Sequence, residues 1–322
     1  MTAATSFIRR SQVVNIYCAD IGNYSSITAL KGEKPRVMRS VIQDVTYTSA
    51  RDYDSDNSPS VKLDDKVLVL GERATKQKNS QTAAERGKDL PEFFKPFTLA
   101  GLRQDFDGIV RFLVPEHSQW HEDTIRRTLV ADHQITVNGT NYRHRIKNVE
   151  FFLETDVAVV NAYRNGKLDL EGDTLAIDIG GGTTNYVVIT PSLDVLTRRS
   201  IPKVGGVSLA NDIINSDLMQ SYAKRDNVAF KVAKMMDAIA DGSFTYGRKY
   251  DFSSVFPGLL ENWFNNLMDS ITTAANDYLA DVTNIMLIGG CANLVRHKLS
   301  AKQGFYIPAN PQLSNIQALL AM

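Results

Sequence analysis

The chain has 322 residues, 43% hydrophobic and 22% charged, a soluble globular composition with length enough for two domain cores. Lysine plus arginine and aspartate plus glutamate each number 36, so no global field favours nucleic acid or an anionic membrane. Two cysteines, Cys18 and Cys291, exclude a disulfide framework; with no apolar run of roughly 18 residues and no signal-peptide pattern, a cytoplasmic protein with reduced thiols is expected.

In chain order, strand-like runs at Val13–Cys18, Ile27–Leu30 and Val37–Tyr47 alternate with turns at Gly22 and Lys31–Lys34. The aspartate-rich Arg51–Ser60 reads as an exposed loop and Lys66–Gly71 as a short strand. Thr75–Lys88 carries almost no apolar stripe and reads as an exposed, mobile connection. Pro91–Arg111 predicts a helix feeding a buried strand over Ile109–Val114, and His117–Asp132 an amphipathic helix. Asn138-Gly139 between Gln134–Val137 and Tyr142–Ile146 is a hairpin signal, because both central positions of a type I′ turn need positive φ. Val149–Leu153 reads as a further strand and Val157–Tyr163 as a short helix ending near Gly166. From Gly205 the chain turns mostly helical, with apolar spacing of three and four over Val207–Tyr222, Asn227–Ile239 and Pro257–Leu279. Asn284–Ile288 is a buried strand, a helix starts at Ala292, and Pro311–Met322 holds a last one. Strands alternating with helices give an α/β class.

Two stretches about half the chain apart are alike: Ile16-Tyr17-Cys18-Ala19-Asp20-Ile21-Gly22-Asn23 and Leu175-Ala176-Ile177-Asp178-Ile179-Gly180-Gly181-Gly182-Thr183-Thr184-Asn185. Each is an apolar run, then Asp-Ile-Gly, then small polar residues, the pattern of a tight hairpin. Such turns let backbone N–H groups close on phosphate, with Asn23, Tyr24, Ser25, Thr183 and Thr184 adding side chains around them. Asp20 and Asp178, at strand ends, suit the hydration shell of Mg²⁺. Two such hairpins facing each other would clamp a nucleotide. Strand–Gly289-Gly290–helix, running on to Asn293, and the turn Gly205-Gly206 offer close backbone approach to a nucleoside, or a packing turn. Glu154, after the strand Val149–Leu153, is a candidate to orient attacking water, and Asp156 is the alternative. His117 and His121 share a helix face without a third metal ligand nearby and read as a solvated surface. No P-loop, G-x-G-x-x-G or G-x-S-x-G motif occurs.

These motifs resemble the actin-like ATPase superfamily, and within it the prokaryotic plasmid-segregation branch of ParM/StbA-like proteins and their archaeal relatives. Asp20–Ser26 and Asp178–Asn185 are similar to its two phosphate loops, Ile285–Leu294 to its adenosine motif and Glu154–Tyr163 to its connecting helix. His133–Gly139 and the ending Asn310–Asn315 are also similar to that branch. The resemblance implies a duplicated, ribonuclease H-like two-domain fold: residues 1–165 with the returning helix 308–322, and residues 166–307, around an interdomain nucleotide cleft. It further implies ATP (or GTP) with Mg²⁺, hydrolysis through Glu154, Asp178 and Asp20, a homopolymer filament, and a DNA-bound adaptor protein as partner. Direct nucleic-acid or membrane contact is not implied. In one respect the chain departs from the pattern. The family carries a lysine seven residues after the first aspartate, and here that residue is Ile27. Losing such a donor costs about 1.5–3 kcal/mol of phosphate interaction unless another cation is borrowed. A nucleotide-binding scaffold with little hydrolysis therefore stands as an alternative, and so does a small-molecule kinase, because the fold does not fix the function.

Overall fold

The computed structural model describes residues 14–47, 57–76, 79–299 and 301–322, so most of the expected loop at 51–60 lies outside the described residues. The first half contributes β1 (Asn15–Ile21), β2 (Ser25–Leu30), β3 (Arg36–Arg39), β4 (Val41–Asp44), β5 (Ser60–Leu63), β6 (Lys66–Leu70) and β7 (Gln81–Thr82). There follow α1 (Ala83–Arg86), α2 (Pro91–Gly101), β8 (Phe106–Val114), α3 (Gln119–Leu129), β9 (Asp132–Val137) and β10 (Thr140–Leu153). All ten strands form one sheet in the order β3-β2-β1-β8-β10-β9-β5-β6-β4-β7.

The helix α4 (Asp156–Arg164) leads into β11 (Asp173–Ile179), β12 (Thr183–Ile189) and β13 (Val195–Pro202). Next come α5 (Gly206–Ile214), α6 (Asp217–Asp226), α7 (Val232–Ala240), the small hairpin β14 (Thr245–Tyr246) and β15 (Tyr250–Asp251), and α8 (Phe256–Ala274). The chain ends with β16 (Val282–Ile288), α9 (Ala292–Leu299), β17 (Phe305–Tyr306) and α10 (Ser314–Ala321). The second sheet runs β13-β12-β11-β16-β17.

The two sheets repeat one plan. β1 pairs antiparallel with β2 and parallel with β8; β11 pairs antiparallel with β12 and parallel with β16. The register repeats as well: Asp20 sits opposite Ile27, and Asp178 opposite Asn185. Alternation along each strand then decides which way the aspartates point. Tyr17, Ala19 and Ile21 face the aromatic core with Phe93, Phe94 and Phe97 of α2, so Asp20 shares the other face with Cys18. Leu175, Ile177 and Ile179 face the helices of the second half, so Asp178 shares its face with Ala176.

Those two aspartate-bearing faces are covered by α4 and α10. Val157 of α4 packs with Cys18, Ile27 and Ile316, while Ala158, Val159 and Ala162 pack against Ala176, Val187 and Met286. The helices thus form the seam between the sheets, and both aspartates look toward it.

Four expectations change. The strand expected over Val37–Tyr47 is broken at Ser40, whose hydroxyl donates to the Gly22 carbonyl at 2.6 Å. Val149–Leu153 is the end of the long β10, continuous with the Asn138-Gly139 hairpin through a bulge between Ile146 and Asn148. The helix expected over Val207–Tyr222 divides at Ser216, which caps α6 by accepting from Met219 N. Thr75–Lys88 is not merely a connection: its described residues include β7 and α1, and its end turns inward at Lys88.

Candidate functional site

Both hairpin tips close in the same way. Gly22 N donates to Ser25 O at 3.1 Å, and Gly180 N donates to Thr183 O at 3.0 Å. The tips meet across the seam. A Cβ at Gly181 would lie 2.7 Å from the Cβ of Tyr24, so only glycine permits this approach of one turn to the other. The second hairpin is braced from behind by α5, where Gly206 N donates to Gly180 O at 3.1 Å and Val207 N to Gly181 O at 2.7 Å. Trp263 Nε1 donates to Gly205 O at 3.2 Å and fixes that brace to α8.

Between the hairpins lies a cavity of about 280 Å³. Most residues expected from the sequence reach its wall: Asp20, Gly22, Asn23, Tyr24, Ser25, Glu154, Asp178, Gly180, Gly181, Gly182, Thr183, Gly206, Gly289, Gly290 and Asn293. Thr184 and Gly205 do not. Thr184 falls on the opposite strand face from Thr183 and Asn185, is fully buried, and donates its hydroxyl to Val204 O. It therefore fastens the hairpin and cannot reach a ligand in the cavity. Gly205 is a packing turn whose carbonyl is taken by Trp263.

One end of the cavity is acidic. Asp20, Glu154 and Asp178 all line it, and Lys88 is the only basic side chain among the described lining residues. Burial, then repulsion from Glu154, pushes the Asp20 carboxyl up to about 8, with Lys88 opposing and Asp178 adding to the rise. Burial and Glu154 push Asp178 up to about 7, against the hydrogen bond from Asn315 and the charge of Lys88. This excess of buried negative charge fits a divalent cation. Among the described residues no three His, Cys, Asp or Glu side chains could hold a metal ion as a group, while separated carboxylates of this kind suit a cation that keeps much of its own water shell.

Glu154 is fixed at both oxygens. Lys88 Nζ donates to Oε1 and Asn185 Nδ2 to Oε2, each at 3.2 Å. The backbone just after it is unusual: Thr155 has φ +73°, a costly value for a β-branched residue. Asn315 of α10 helps hold it there by accepting from Thr155 N at 3.0 Å, while its Nδ2 donates to Asp178 Oδ2 at 2.8 Å. Asp156, the alternative to Glu154, is paired with Arg198 of β13 and is not on the cavity wall.

The other end is largely apolar, lined by Leu209, Met236, Ile239, Ala240, Cys291 and Leu294. Gly289, at φ +87°, turns the chain beside the acidic end, where a Cβ would lie 2.4 Å from Asp178 Oδ1. The apolar end suits a flat ring, and the acidic end suits a metal-bound phosphate chain. Beside the apolar end the two halves are bridged directly. Asp237 of α7 accepts from Tyr24 Oη at 2.8 Å and pairs with Arg39, whose guanidinium lies 3.5 Å over the Tyr24 ring. Lys88, Asn185, Gln312, Asn315 and the apolar wall were not foreseen as site residues. Three of these had a signal: Asn185 ends the second hairpin segment Asp178–Asn185, and Gln312 and Asn315 lie within the C-terminal Asn310–Asn315 segment. Cys18 and Cys291 are free thiols, both pushed up to about 12 chiefly by burial. His117 precedes α3, which starts at Gln119, so it does not share a helix face with His121 as expected; its ring bonds Glu122 at 2.6 Å instead.

Residues 176–301 match the family model described as archaeal actin homologue MreB-like, C-terminal. No curated protein matches the chain in sequence. Among solved structures, Ta0583, an archaeal actin homolog, superimposes with a TM-score of 0.78 at 16% identity over 95% of this chain and 98% of its own. That protein has also been solved in complex with ADP. A 15-stranded ParM filament from Clostridium botulinum gives 0.76 at 17% identity, covering 96% of this chain and 98% of that one. MreB 5 of Spiroplasma citri, bound to AMPPNP, gives 0.65 at 15% identity over 96% and 95%.

Proposed function

We propose that this chain, whose fold is actin-like, binds a magnesium–nucleoside triphosphate in its central cavity, hydrolyses it, and couples that cycle to assembly of its own copies into a filament. The observation that carries this reading is the pair of register-equivalent hairpins, tip to tip, over Asp20, Glu154 and Asp178. The ADP, AMPPNP and filament forms of the structurally similar proteins support it. Plasmid DNA or another cargo, reached through a DNA-bound adaptor, is the work we assign to the filament.

In this reading the domains are residues 1–165 with 308–322, and 166–307. Backbone of Gly22 and Gly180–Gly182, with Asn23, Ser25 and Thr183, surrounds the phosphates, while the apolar end takes the purine. The protein would hold Mg²⁺ through water by Asp20 and Asp178, and the ion's charge would offset that of the phosphates. Glu154 accepts a proton from the attacking water as the new P–O bond forms and the bond to the departing diphosphate breaks. Loss of the γ-phosphate removes ligand contacts to both hairpins and so shifts the balance between closed and open cleft.

Light scattering and electron microscopy with Mg-ATP or Mg-GTP test assembly, and phosphate release tests hydrolysis. Filaments that appear with triphosphate and decay with phosphate release are expected; a chain that stays monomeric well above micromolar concentration does not assemble this way. Ile27, which packs against α10, motivates a second reading in which the chain binds nucleotide as a scaffold and releases almost no phosphate.

A further inference from the structure

The position that faces Asp20 across the first hairpin is apolar: Ile27 is buried against α10 and Cys18. A triphosphate seated between the hairpins would find no cation there. One cation does reach the same cavity from elsewhere in the fold. Lys88 sits in the short turn between α1 and α2, where Gly87 N donates to Ala83 O at 2.8 Å and closes α1. Its side chain is only 18% exposed, and its ammonium bonds Glu154 at 3.2 Å. Burial works against the charge, but Glu154, Asp20 and Asp89 outweigh it and raise Lys88 above the ordinary lysine value. The ammonium therefore stays charged on a cavity wall that carries Asp20, Glu154 and Asp178 and, among its described residues, no other basic side chain.

We propose that Lys88 is the cation that engages the terminal phosphates of the nucleotide, replacing a lysine on the first hairpin, and that it releases Glu154 to do so. The proposal rests on the nucleotide reading above and adds a device to it. Without triphosphate, Lys88 occupies one oxygen of Glu154. A γ-phosphate offers the ammonium a more highly charged acceptor, and the released Oε1 becomes free to take a water. The carboxylate that activates water is thus made available by the substrate it acts on, and Asn185 keeps its other oxygen in place.

The test is calorimetric binding of Mg-AMPPNP, Mg-ADP and adenosine to the full chain and to its Lys88→Met, Lys88→Gln and Lys88→Arg variants. Removing the charge should weaken AMPPNP by about ten- to a hundredfold, weaken ADP several-fold less and leave adenosine unchanged. Arginine should hold most of the triphosphate affinity. Adenosine binding reports that the fold is intact, and the ratio of AMPPNP to ADP affinity is a readout that a structural role alone would not move. Glu154→Gln frees the lysine and should tighten AMPPNP in the wild-type background but not beside Lys88→Met, a coupling that a double-mutant cycle reads directly. If the wild-type chain binds nucleotide and the Met and Gln variants keep its AMPPNP-to-ADP ratio, the role of Lys88 is wrong while the site reading survives. If the wild-type chain binds none of the nucleotides, both fall.

Discussion

Asn315 donates to Asp178 at 2.8 Å with one end of its amide and accepts from Thr155 N–H at 3.0 Å with the other. A single side chain on the last helix thus ties the cavity-lining aspartate of one sheet to the strained turn that presents Glu154 from the other. Asn315→Ala should cost about 1.5–3 kcal/mol, because it strips a buried carboxylate of a donor and a buried N–H of its acceptor. Thermal unfolding should show it as a lower midpoint, and triphosphate binding should weaken in parallel. A melting curve and affinity equal to wild type would remove Asn315 from the site.

The acidic end makes the ligand-free chain sensitive to pH. Asp20 and Asp178 are pushed up to about 8 and about 7, chiefly by burial, so the folded state holds more protons than the unfolded one across the window from ordinary carboxylate values to those. Stability is accordingly greatest at the low end of this window and falls as pH rises through it. The melting midpoint should drop by several degrees between about pH 5.5 and about pH 8.5, since ~1 kcal/mol moves domains of this size class by roughly 2–4 °C. Mg-nucleotide should flatten the dependence, and so should Asp178→Asn. A midpoint that rises over that interval would contradict the buried pair.

Substitution at Glu154 and at Asp156 should separate the two candidates for the base. Glu154→Gln should leave nucleotide bound and slow phosphate release by on the order of a hundredfold or more, the usual worth of a positioned base. Asp156→Asn disturbs the pair with Arg198 away from the cavity wall and should change release little. Single-turnover assays on both variants decide the matter, and equal loss in the two would mean that the assignment to Glu154 is mistaken.

Across the mouth of the cavity, Asp237 binds Tyr24 and Arg39 of the opposite half. Opening the cleft must break this contact. Asp237→Ala should therefore speed nucleotide dissociation by roughly fivefold, corresponding to ~1 kcal/mol for a charged contact that remains partly exposed. Stopped-flow displacement of a fluorescent nucleotide measures it; an unchanged off-rate would show that the bridge does not gate release.

The hairpins, the strand–Gly289-Gly290–helix turn and the α/β alternation were legible in the sequence because each has a local cause: an apolar run of period two, a turn that only small residues fit, a helical spacing. Thr184 was placed on the wrong side because composition says that a hydroxyl is present, whereas strand parity says which face it occupies. Lys88 was lost in a stretch without an apolar stripe; its position is set by the ends of α1 and α2, a tertiary fact with no local pattern. The edge and hairpin strands β13, β14, β15 and β17 were not anticipated, the last three being two residues long each and held by pairing that the sequence does not advertise. Ser40 and Ser216 divided elements that hydrophobic pattern alone had joined, since one polar side chain can redirect a chain at little energetic cost.

The repeated register has a last consequence. Ile27 and Asn185 are counterparts, each facing its own aspartate across its own hairpin, yet one packs into the seam while the other steadies Glu154. A catalytic centre built where two copies of a motif meet offers every functional group two interchangeable homes, and a third from whatever segment passes nearby. Charge lost from one address can be restored from another without rebuilding the scaffold, which lets such a centre drift in sequence far faster than in shape.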